Sequence, residues 1–112
     1  MASSRPLYQD KVATLTKEFL TVRGAGRFVP VARTWRLADI SEFSSFPREH
    51  YQYEQLPRWG KTADNVWFTR DNRRWRRTVA VVITTPGGQV GFTPTHPDRF
   101  IQLLEGLGIT RR

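Results

Sequence analysis

The segment VGFTPTHPDRFIQLLEGL, residues 90–107, carries the clearest helix signal of the chain, and it comes at the very end. Phe100, Leu103, Leu104 and Leu107 recur at i, i+3, i+4 and i+7, which draws a single apolar stripe down one side of a helix. Thr95-His96-Pro97-Asp98 reads as its start: a hydroxyl residue, an acid three positions on, and a proline inside the first turn. Gly106 and Gly108 supply the stop. A helix with one apolar stripe must lie against something, and strand signals dominate everything before it. The pattern therefore predicts a mostly β fold with one C-terminal α-helix, the helix covering the sheet that precedes it. At 112 residues the chain is a single domain, long enough to bury one core, with a short extension over about residues 1–9.

The strands can be placed from turn chemistry. Val12, Leu15, Phe19, Leu20 and Val22 form a β-leaning opening that ends in the glycine-rich Arg23-Gly24-Ala25-Gly26. The extended pattern resumes at RFVPVAR, where Pro30 argues for an edge or a bulge. TWRLADISEF reads as a strand, a kink at Ala38-Asp39 and a second strand. NVWFTR and WRRTVAVVITT flank Asp71-Asn72, a turn-forming pair, and are expected to make a hairpin. Val79 to Ile83 is apolar on both faces, so it must be covered on two sides, by the helix, a second sheet or another subunit. Thr85-Pro86-Gly87-Gly88 marks one more hairpin turn before the last strand.

Three of these stretches resemble the bacterial pleckstrin-homology-like domains. LTKEFLTVRG (residues 15–24) is similar to that family's opening strand-turn-strand, and WRLADISEF (residues 35–43) to its strand with an L-x-D-I step. VGFTPTHPDRFIQLLEGL resembles its closing strand, the TP-x-x-P junction and the capping helix. The resemblance implies a bent antiparallel β-sandwich or partly open barrel plugged by the terminal helix. It also implies a non-catalytic binding or scaffold module, in a family whose members sit beside membranes or form oligomers. The phosphoinositide signature of the eukaryotic relatives is not matched, because TVRGAGRF offers only Arg23 and Arg27.

Charge points to partners. The chain carries a net +8 at pH 7, and RDNRRWRR, residues 70–77, holds five arginines against one aspartate, half of that excess. Arginine forks match phosphate or carboxylate oxygens, and tryptophan can stack on a base or sit at a lipid interface. Arg70, Arg73, Arg74, Trp75, Arg76 and Arg77 are therefore the candidate anion- or partner-binding residues. On a strand the arginines split between faces, and the plainer reading is a solvated hairpin end whose charges blunt an edge. Tyr51, Tyr53 and Trp59 lie in an irregular polar stretch and are candidate interface aromatics, with packing over the open barrel end as the structural alternative. A protein complex is the expected partner; an anionic membrane surface, nucleic acid and a homo-oligomer are the others. The nucleic-acid reading, a small basic β-barrel, rests on composition alone.

Catalysis finds little material. There is no cysteine, and the only histidines are His50 and His96, which lack the spacing of a ligand set. Neither GAG nor GG is a phosphate loop followed by a helix. No cofactor or metal is expected, and the chain reads as a non-enzyme. The start lacks a basic stretch followed by an apolar one, and the longest apolar run is five residues against the roughly 20 that span a bilayer. The expected location is cytoplasmic, with any membrane contact peripheral.

Overall fold

The computed structural model describes residues 5–26, 31–47, 59–62, 65–71, 74 and 77–112. They form two sheets and one helix. The first sheet runs in chain order through β1 (Tyr8–Gln9), β2 (Ala13–Leu15), β3 (Phe19–Val22) and β4 (Arg33–Arg36), all antiparallel. A 3-10 turn at Leu37–Asp39 then carries the chain into the second sheet. That sheet contains β5 (Glu42–Pro47), β6 (Gly60–Lys61), β7 (Val66–Phe68), β8 (Val79–Thr85), β9 (Gly88–Phe92) and β10 (Thr110–Arg111), in the order β10-β5-β8-β9-β7-β6. The helix α1 (Pro97–Gly106) lies between β9 and β10 in the chain. This is the mostly β, two-sheet fold with a single C-terminal helix.

Alternation decides which side chains face inward. Tyr8, Ala13, Leu15, Leu20, Val22 and Trp35 point from the first sheet into the core, where they meet Phe43, Val81, Ile83, Val90 and Phe92 of the second. The helix adds Phe100, Ile101 and Leu104 to the same core and packs against both β1 and β8. Phe100 is the anchor: its ring meets Tyr8 edge-on at 5.1 Å and Phe92 at 5.5 Å between centroids. The predicted stripe therefore docks as expected, with Ile101 buried beside it. The helix start differs. His96, not Thr95, occupies the N-cap and makes no side-chain bond there, while the Thr95 hydroxyl donates to Asp10.

Tyr8 and Gln9 fall inside the stretch read as an extension, yet Tyr8 is buried and the pair forms β1. The doubly apolar run in β8 is covered on both sides within the chain. Val81 and Ile83 face the main core, while Ala80 and Val82 face a second cluster with Val66, Phe68 and Phe46. Gly91 makes room there: a Cβ at that position would sit 2.7 Å from the Phe68 ring.

The hairpin expected across Asp71-Asn72 does not form. β8 is flanked by β5 on one side and, through the Pro86-Gly87 turn, by β9 on the other, so both its edges are occupied. β7 therefore pairs with the far edge of β9, and that pairing is parallel. β10 is also parallel to its neighbour, β5. The all-antiparallel pairing implied by the family resemblance is thus broken at two places. The connection from β7 to β8 therefore passes β9 and is a crossover, not a hairpin turn. The strand begins only at Val79, so the arginines are not divided between the two faces of a strand.

Candidate functional site

The glycine-rich turn after β3 organises the surface where the candidate residues meet. Gly24 adopts a φ of +75°, and a Cβ there would lie 2.6 Å from the Arg70 carbonyl oxygen, so only glycine lets the two backbones approach. The Arg70 N–H donates to Gly24 O at 2.8 Å and fastens the start of the arginine stretch to this turn. Two more strands of chain converge on the same turn. Ala25 and Gly26 both donate to Val31 O, at 2.9 and 3.1 Å, and the Trp59 indole N–H donates to Gly26 O at 3.3 Å.

Three side chains are displayed around it. Trp59 is 37% exposed and Val31 53%, two of the three large apolar side chains that stand out in solvent among the described residues. The Arg70 guanidinium lies 5.7 Å from the Trp59 ring centre, a cation–π distance. Arg70 is otherwise exposed, and Arg33 stacks at 5.1 Å on Trp35 at the start of β4 nearby in the chain. An aromatic ring with a polar handle, an aliphatic neighbour and an unburied guanidinium make a corner suited to a carboxylate-bearing, partly apolar surface.

The arginines of the stretch have unlike environments. Arg74 is 1% exposed: its Nε donates to the Thr93 hydroxyl at 3.3 Å, its Nη2 to the Thr69 hydroxyl at 3.0 Å, and its guanidinium lies 5.0 Å from the Phe68 ring centre. Thr69 and Thr93 follow β7 and β9, so Arg74 ties the ends of the parallel pair together beneath the crossover. Burial pushes its pKa down to about 10, with Asp71 opposing that shift and Arg77 adding to it; the group remains charged at neutral pH. Arg77 is half-buried, its Nε 3.8 Å from Asp71 Oδ2, and Asp71 also accepts a bond from Thr93. Arg70 alone of these three turns outward. Arg73, Trp75 and Arg76 lie outside the described residues, as do Tyr51 and Tyr53.

The predicted site thus resolves into separate parts. Arg70 and Trp59, eleven positions apart and assigned to different features of the sequence, are brought together. Arg74 is drawn into the interior and Arg77 is held beside an acid. Val31 was not singled out in the sequence; the one signal near it is Pro30, which marks an edge or bulge. Among the described residues, no three His, Asp or Glu side chains are grouped to hold a metal ion, and no helix is long and apolar enough to cross a membrane. Comparison of the chain with protein-family models, with curated proteins and with solved structures gave no match.

Proposed function

We propose that this chain is a non-catalytic binding module that joins a protein assembly through the corner formed by Val31, Trp59 and Arg70. The observation that carries this reading is the Arg70–Trp59 pair, a cation on an exposed ring held to a rigid glycine turn. Buried interface centres favour tryptophan and arginine, and a turn fixed by four backbone-directed bonds presents them at little entropic cost. The interior position of Arg74 and the Arg77–Asp71 pair favour a protein partner over nucleic acid, since two of the cations needed to track phosphates are engaged within the chain. The helix-capped two-sheet fold suits the pleckstrin-homology-like reading of the sequence, and a site of action in the cytoplasm or against the cytoplasmic face of a membrane is proposed with it.

The test is affinity purification of the full chain from native cytosol and membranes, with Trp59→Ala and Arg70→Glu alongside. Proteins retained by the wild type and lost from both variants support the reading. Steeply salt-dependent binding to single-stranded DNA or to anionic vesicles, with no retained protein, favours the other classes of partner.

A further inference from the structure

β4 ends the four-stranded sheet, and among the described residues no strand lies along its far side. The ladder with β3 fixes which groups that edge presents. Leu37 N–H donates to Glu18 O at 2.9 Å, so 18 and 37 are a hydrogen-bonded pair. Alternation along an antiparallel ladder then makes Leu20–Trp35 and Val22–Arg33 bonded pairs, and Phe19–Arg36 and Thr21–Thr34 non-bonded ones. The 2.8 Å contact between the Thr21 and Thr34 hydroxyls fits this, because side chains approach more closely across a non-bonded pair. The N–H and C=O of both Thr34 and Arg36 are therefore directed away from β3, to the side along which no described strand lies.

We propose that β4 takes up an extended acidic segment of a partner protein as a fifth strand of this sheet. Main-chain bonds from Thr34 and Arg36 supply the docking, and side chains supply the selection. The chemistry of the occupant follows from what borders the edge. Arg33, Thr34 and Arg36 are exposed, and only Trp35 between them is buried. Two guanidiniums on a four-residue edge, in a chain of net charge +8, attract carboxylates and repel cations.

A second copy of the chain is the poorer occupant. Self-pairing would bring Arg33 and Arg36 from each strand, four guanidiniums, onto one short ladder, and like charges across strands destabilise it. At the far end of β4 a hollow of about 410 Å³ is lined by Lys17, Glu18, Phe19, Arg36, Leu37 and Ala38. Phe19, 39% exposed, forms its apolar wall, so a large apolar side chain of the incoming strand can seat there. Lys17 and Arg36 line the same hollow beside Glu18, so acids on either side of that apolar residue meet a cation.

The proposal rests on the reading of the chain as a protein-binding module, but it concerns a different surface and a stated mode. The test selects a displayed library of random seven-residue peptides on the full chain and follows amide hydrogen exchange with the best peptide bound. Acidic peptides with one large apolar residue are expected, with exchange at the Thr34 and Arg36 amides slowed about tenfold or more. Arg33→Glu or Arg36→Glu should weaken the peptide about tenfold.

Failure to select a peptide, selection of non-acidic ones, or unchanged exchange at both amides overturns the proposal. So does protection of those amides by single-stranded DNA, or by raised protein concentration alone. The two readings part cleanly. A peptide that perturbs the Trp59 indole and leaves Thr34 and Arg36 untouched removes the strand addition and keeps the corner. Protection at the edge that survives Trp59→Ala, together with partner capture that also survives it, keeps the strand addition and removes the corner.

Discussion

The Asp10 carboxylate accepts bonds from Thr95 at both the backbone N–H and the hydroxyl, each 2.9 Å long, across 85 residues of chain. The Tyr8 hydroxyl donates to that same oxygen, Oδ2, while Oδ1 takes the N–H groups of Val12 and Ala13 at 2.6 and 2.7 Å. The His96 N–H in turn donates to Tyr8. One carboxylate thus closes the β1–β2 turn and fixes the entry to α1. Asp10→Ala strands several donors at once and should destabilise the fold by about 2–4 kcal/mol, read from urea melts at neutral pH.

The same carboxylate sets an acid limit. Burial by itself would raise the Asp10 pKa, but the bonds from Tyr8, Thr95, Ala13 and Val12 outweigh it and hold the group below the usual carboxylate range. A depressed folded pKa contributes stability that is fully present above the unfolded value and is lost as pH falls through the folded one. Wild-type stability should therefore drop below about pH 4, and the drop should be shallower in Asp10→Ala. Burial first, and Asp10 second, raise the Tyr8 pKa, so the Tyr8 contribution holds below about pH 10 and is lost above it.

Two arginines four positions apart should respond in opposite ways. Arg74→Glu buries a carboxylate beside Asp71 and withdraws the donors that reach Thr69 and Thr93; the expected cost is about 3–5 kcal/mol, or failure to fold. Arg70→Glu removes only an exposed cation–π contact, about 0.5–1 kcal/mol, and should leave the thermal midpoint nearly unchanged while abolishing partner capture. Circular dichroism melts beside the affinity purification separate the two roles.

Gly24→Ala combines a left-handed backbone position with a Cβ that meets the Arg70 carbonyl. The change should cost about 2–3 kcal/mol and dislodge the corner, visible as a shift of the Trp59 indole N–H resonance.

Much of the fold was legible because its signals are local. The α1 stripe, the Pro86-Gly87 turn and the kink between Trp35 and Phe43 each follow from a few neighbouring residues, and each has its counterpart in the structure. Strand order was not local. Asp71-Asn72 is good turn chemistry, but β8 had already been claimed by the tighter turn to β9 and by β5, so the connection became a crossover. The same event decided the site. A hairpin tip would have exposed its arginines; a crossover lets Arg74 reach Thr69 and Thr93 across the ends of β7 and β9. Composition marks residues 70–77 as cationic, but only the pairing of distant strands separates Arg70 on Trp59 from Arg74 in the interior. Likewise, Tyr8 packs on Phe100 and accepts from the His96 N–H, partners that no window of neighbouring residues contains.

The most direct test of the corner is photo-crosslinking in cells that make the chain natively. A photoreactive phenylalanine analogue replaces Val31, whose side chain is exposed while its backbone holds the turn, and a control replaces exposed Gln102 on the helix. The account predicts a discrete protein adduct from position 31 that disappears with Arg70→Glu, and none from position 102. Equal adducts from both positions, or an adduct from position 31 that is indifferent to Arg70→Glu, would contradict it.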